Sequence, residues 1–237
     1  MMKKLVKKIM LGALASLAIS STAFANDTQV YVGLEGGAAN MDFNLFPNVL
    51  PNGGDLGLAT ISNTSSSTNS NSAYGNIHIG FLTPVSDDWS LGGQLGFADY
   101  GKVDSTQTEA ITNTPFGLFN SNATTTYHDT YKAITAEIVA QREFDQIFLN
   151  LHAGLADFLV DQTASSSMVI AGTPIPVDTS AQNGHSNVAT AMGGVEVGYE
   201  LTEHFNIYAN YTVIARSGTN FQVPLINSLG LGVNYVF

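Results

Sequence analysis

The chain has 237 residues, 44% of them hydrophobic and only 11% charged, with 8 Lys and Arg against 19 Asp and Glu, a net charge of −11 and no Cys. Soluble domains are about 25% charged, so a surface dressed in ions is excluded, and 13 Phe with 9 Tyr argue against disorder. The acidic balance disfavours nucleic acid as a partner, and no apolar run reaches the roughly 18 residues of a membrane-spanning helix.

The first 25 residues read as a cleaved signal peptide. Lys3, Lys4, Lys7 and Lys8 form a basic start, residues 9–19 an apolar stretch, and Ala23-Phe24-Ala25 an A-x-A site before Asn26. Removing them takes four Lys and no acid, which leaves four bases against 19 acids, a net charge of −15. Residues 26–237 are expected to form one domain.

That domain alternates with period two, the signature of strands. In chain order, Val30, Val32 and Leu34 alternate with Tyr31, Gly33 and Glu35, and Ile77, Ile79 and Phe81 with Asn76, His78 and Gly80. Trp89, Leu91, Leu95 and Phe97 alternate with Ser90, Gly92, Gln94 and Gly96. Ile134, Ala136, Ile138 and Ala140 follow, with Thr135 and Glu137 between them. Leu149, Leu151 and Leu155 alternate with Asn150, His152 and Gly154, and Val195, Val197, Tyr199 and Leu201 with Gly194, Glu196 and Gly198. Phe205, Ile207, Tyr211 and Val213 alternate with Asn206, Tyr208, Asn210 and Thr212. Leu229, Leu231, Val233, Tyr235 and Phe237 end the chain, alternating with Gly230, Gly232 and Asn234.

These eight segments predict an all-β, eight-stranded antiparallel up-and-down barrel. Residues 83–88, 141–146 and 202–204 are short polar connections, whereas 39–73, 101–126, 160–186 and 215–226 are long. Short turns at one end and long loops at the other suit an outer-membrane barrel, with periplasmic turns and extracellular loops. Trp89, Ile147 and Phe205, spaced 58 residues apart, each open a strand after a polar turn. Ten strands follow instead if residues 168–177 form another membrane hairpin.

The polar faces are rich in glycine, which suits the narrow lumen of an eight-stranded barrel, so the apolar faces are expected to meet lipid. Phe81, Trp89, Tyr199, Phe205, Tyr235 and Phe237 fall near the turn ends and predict an aromatic girdle, with Tyr211 and Phe97 as weaker candidates for the opposite one. Signal peptide, eight segments and the terminal Tyr235-Val236-Phe237 resemble small bacterial outer-membrane β-barrels of the OmpA transmembrane-domain, OmpX and Ail, and Opa opacity groups. The resemblance implies that Tyr235 and Phe237 signal to the barrel-assembly machinery. It places the protein in the Gram-negative outer membrane, among lipid and lipopolysaccharide.

The inward parity collects Glu35, His78, Gln94, Glu137, Asn150, His152, Glu196 and Arg216 into an expected lumen network. Glu137 and His152 should face each other across the 141–146 turn. Buried carboxylates need partners and bases are short, so His78 and His152 are expected to supply positive charge. The network either fills the barrel or lines a narrow, cation-preferring water path.

Catalysis is not expected: His185 and Ser186 are adjacent, and neighbours on a strand point to opposite faces. No metal or cofactor is expected, because acids such as Asp42, Asp55, Asp104, Asp129, Asp161 and Asp178 lack a ligand-loop spacing and Asp87-Asp88 reads as a solvated turn. The polar run 62–72 reads as a mobile loop. Apolar strings at 43–50, 116–119, 168–171 and 221–226 either pack together or offer a patch to a host or cell-surface ligand. The expected role is thus structural or adhesive, through the loops, with a small cation-preferring porin as the alternative.

Overall fold

A computed structural model of the chain describes residues 28–42, 60–68, 70–112, 121–170, 173–175, 184–217 and 223–237. The expected signal peptide, the strings at 43–50 and 116–119, and Asp55 and Asp178 lie outside them.

The period-two segments are all strands. Eight of them build the barrel: β1 (Gln29–Asp42), β3 (Asn71–Pro84), β4 (Trp89–Thr112), β5 (Ser121–Phe144), β6 (Ile147–Ile170), β8 (Gly184–Thr202), β9 (Phe205–Ile214) and β10 (Leu225–Val236). Each pairs antiparallel with its neighbours, and the circuit closes where β4 meets β5 and β1 meets β10. A closed barrel leaves no unpaired strand edge, the condition for crossing lipid with strands. As the 58-residue spacing predicts, Trp89, Ile147 and Phe205 are the first residues of β4, β6 and β9. The β5–β6 turn is Asp145–Gln146, where Asp145 has φ 56°, a conformation that Asp tolerates better than most residues.

Two further strands lie outside the circuit. β2 (Thr60–Thr68) pairs with β4, and β7 (Thr173–Ile175) pairs with residues 168–170 at the tip of β6. Among its described residues the 168–177 region therefore adds no pair of membrane strands. The run 62–72, expected as a mobile loop, is instead strand over most of its length. β3 begins only at Asn71, so above it the edge of β4 is open, and β2 pairs with residues 105–112 of that edge. β-branched Thr suits a strand.

Apolar side chains point outward. Ile138 and Leu231 are each 72% exposed, and Leu34, Ile77, Leu91, Leu155 and Leu229 are exposed beside them. On β4 the band runs over residues 89–97 and on β10 over 229–237, close to the 9–11 residues that a tilted strand needs to cross a bilayer. It ends at charge: Asp99 on β4 and Lys132 on β5, 3.8 Å apart, mark its upper rim. Soluble monomers rarely expose a contiguous apolar patch beyond a few hundred Å², and this one encircles the molecule.

Above that rim the strands continue, contrary to the loops expected at 101–126 and 160–186. β4 and β5 stay paired up to Ile111 with Ser121, and β5 and β6 up to Ser121 with Ile170. A bulge between Asp99 and Lys102, with Gly101 at φ 78°, resets the parity, so that Tyr100 and Val103 both face inward and are buried. At about 3.4 Å per residue and barrel-like tilt, residues 121–132 lift the sheet roughly 30 Å above the lipid.

Candidate functional site

The lumen is filled in three layers. The upper layer is apolar and aromatic: Met41, Tyr131, Phe158, Ile214, Val223 and Ile226 are fully buried or nearly so. Tyr100 stacks on Tyr74 at 5.6 Å and meets Phe158 at 5.7 Å. Val223 and Ile226, the buried residues just named, belong to the apolar string expected at 221–226, while residues 168–170 extend β6. The lower layer holds Tyr31, Leu82 and Val139, together with buried Phe148 and Tyr208. Between them lies the polar layer.

One hydrogen-bonded chain crosses that layer. The Tyr31 hydroxyl donates to Gln94 Oε1 at 3.0 Å, and Gln94 Nε2 donates to Glu137 Oε1 at 3.4 Å. Glu137 Oε2 stands 2.5 Å from His152 Nδ1, as the sequence predicts, and His152 Nε2 is 3.1 Å from Asn210 Oδ1. Asn210 Nδ2 donates to both oxygens of Glu35, at 3.1 and 3.2 Å, and Tyr74 donates to Glu35 Oε1. These seven residues brace β1, β3, β4, β5, β6 and β9 together. Asn150 Nδ2 donates to Glu196 at 2.8 Å, and His78 Nε2 meets Asn234 Oδ1 at 2.9 Å, which brings in β8 and β10.

With its amide nitrogen given to Glu35, Asn210 presents its oxygen to His152, whose other nitrogen faces the Glu137 carboxyl. His78 meets an amide oxygen and, among the described residues, no carboxylate.

Small inward residues make the room. A Cβ on Gly33 would lie 2.1 Å from the His78 ring and Asn234, one on Gly194 2.5 Å from His152 Nε2, and one on Gly230 2.4 Å from Glu35 Oε1. Among the described residues a cavity of about 20 Å³ remains, lined by Glu35, Glu137, Glu196, His152, Asn150 and Asn210 among others. That holds about one water molecule.

Seven of the eight residues expected in the lumen are there: Glu35, His78, Gln94, Glu137, Asn150, His152 and Glu196. Arg216 is the correction. β9 ends at Ile214, and Arg216 sits exposed above it, giving Nη2 to the backbone oxygen of Asp42 at 3.3 Å. Parity stops being a guide where the strand stops. Sequence reasoning left out the hub, Asn210, and the end groups Tyr31 and Tyr74. Asn210 has the inward parity of β9, but nothing local signals its bond to Glu35, 175 residues away.

The residues expected as a girdle lie near the turn ends of their strands. Trp89, Tyr199, Phe205, Tyr235 and Phe237 are 38–71% exposed. Tyr235 meets Phe205 at 5.1 Å and Phe237 at 5.0 Å, edge to face, and stacks with His204. Phe81 is half-buried because its ring covers Gly93 on the outer face. Phe144, which the alternation did not single out, joins them. Tyr211 and Phe97 are exposed further up.

Of the outer acids, Asp104 is exposed and 2.6 Å from His128, while Asp129 is buried. Among the described residues no three His, Asp or Glu stand together as a metal site. His185 and Ser186 are consecutive in β8, opposite Asp161 and Val160 on β6.

Closure, a lipid-facing band and a filled lumen define a small outer-membrane β-barrel protein, eight-stranded and antiparallel. Solved structures similar to it are barrels of that kind. Ail, the attachment invasion locus protein of Yersinia pestis, is 12% identical over 89% of this chain and 97% of its own, with a TM-score of 0.41. Neisserial surface protein A is 14% identical over 88% and 97%, at 0.38, and OprG of Pseudomonas aeruginosa 10% identical over 86% and 95%, at 0.40. No protein-family model matches the chain, and no curated protein matches it.

Proposed function

We propose that the protein is an exported, non-catalytic surface protein whose barrel is an anchor and whose outer sheet makes contact outside the cell. The observation that carries this reading is the height of β4, β5 and β6, which stay paired far above the apolar band. Ordering backbone costs about 1–2 kcal/mol per residue. A sheet that tall is more than anchoring needs. The filled lumen disfavours the porin alternative, since the cavity among the three glutamates is covered by buried apolar side chains above and below. Residues 1–25 serve as the cleaved export signal in this reading, and Tyr235 and Phe237 as the handle for barrel assembly.

The test shortens the β4–β5 hairpin. Val103 pairs with Asp129, so residues 104–128 are replaced by Asn-Gly, a two-residue hairpin turn. Expected is a barrel that still assembles, seen as heat-dependent gel mobility, with cells adhering at least several-fold less to host cells and matrix proteins. Unchanged adhesion contradicts the reading.

A further inference from the structure

Among the described residues Arg142 is a cation without an anion. It lies near the turn end of β5, paired in register with Trp89 of β4 and Leu149 of β6, on the outward parity of the lipid-facing band. Its guanidinium carbon is 4.8 Å from the ring centre of Phe144 and 5.6 Å from that of Trp89, within cation–π range of both. Nε is buried and has no hydrogen-bond partner.

Acids are near in the chain. Glu143 and Asp145 follow it, and the backbone of Glu143 bonds to that of Asp88. Yet among the described residues Arg142 enters no ion pair. Glu143 has the inward parity and accepts instead from Gln141 at 2.8 Å. The fold thus carries a half-buried guanidinium to the edge of the lipid band on its outward parity.

We propose that Arg142, clasped between Trp89 and Phe144, binds the phosphate headgroup of an anionic phospholipid. This rests on the membrane reading of the barrel. Girdle aromatics sit at headgroup level, and a guanidinium offers phosphate two parallel N–H donors. Trp89 and Phe144 hold its plane while their apolar edges meet the acyl chains. Net negative charge on the lipid adds attraction that a zwitterionic headgroup lacks, about fivefold for one base near the surface.

The molecule carries its own reporter, because Trp89 is its only tryptophan. The protein is reconstituted in mixed phosphatidylglycerol and phosphatidylcholine vesicles, with brominated chains on one lipid at a time. Brominated phosphatidylglycerol is expected to quench Trp89 as if favoured about fivefold over its share. Arg142→Gln should bring that preference to about one, and Arg142→Lys, which keeps the charge and loses the fork, should keep part of it. Equal quenching by the two lipids in the wild type overturns the proposal, as does a preference that survives Arg142→Gln. Quenching by neither lipid overturns the membrane reading itself.

Discussion

Gly92 and Gly93 are neighbours in β4 that face opposite ways. A Cβ on Gly92 points into the lumen and would lie 1.7 Å from the backbone oxygen of Phe81, which cannot swing aside. One on Gly93 meets the Phe81 ring at 3.4 Å and the Glu137 backbone oxygen at 3.5 Å, both ordinary van der Waals contacts. Overpacking that moves backbone costs about 1–3 kcal/mol, whereas surface changes usually stay within about 0.5 kcal/mol. Gly92→Ala should therefore destabilise the barrel by about 1–3 kcal/mol and Gly93→Ala hardly at all, measured by denaturant unfolding in micelles. Equal costs would refute the assignment of faces. Residue identity was readable wherever parity decides it, as for Glu137 and His152. It failed at Asn210, whose role rests on a partner across the barrel, and at Arg216, two residues beyond the end of its strand.

At the scale of elements, alternation marked each strand only where one face meets lipid. Residues 105–108 of β4 and 124–126 of β5 are Ser, Thr and Gln throughout, so the period-two signal disappears although the strands pair on. β2 was hidden for the same reason. Within this outer part of β5, above the membrane, Asp129 is buried. Burial lifts its carboxyl above the ordinary Asp range, hydrogen bonds from Gln162 and Tyr131 and the charge of His128 opposing it, and the Asp104 charge adding to it. A raised carboxyl makes the fold favour the protonated acid. That stability is complete below the unfolded value near 3.9 and fades as pH rises through the raised folded value. Asp129→Asn should accordingly be more stable than wild type at pH 7 and lose that advantage near pH 4, in thermal unfolding at the two pH values. A variant less stable at both would contradict it.

At the scale of the whole molecule, low charge without a membrane helix is accounted for by a barrel turned inside out. The strand count and the outward apolar face were legible because they follow from period two and glycine placement. The plug was not, since Tyr100, Phe158, Ile214 and Ile226 meet only after closure. Among the described residues the three inward glutamates share one imidazole, four donor side chains and a cavity of about 20 Å³. Single-channel recording in planar bilayers at neutral pH tests the central claim, a filled barrel that acts outside its lumen. The expected result is membrane insertion without resolved conductance steps, and stable cation-selective steps from the intact barrel would contradict it.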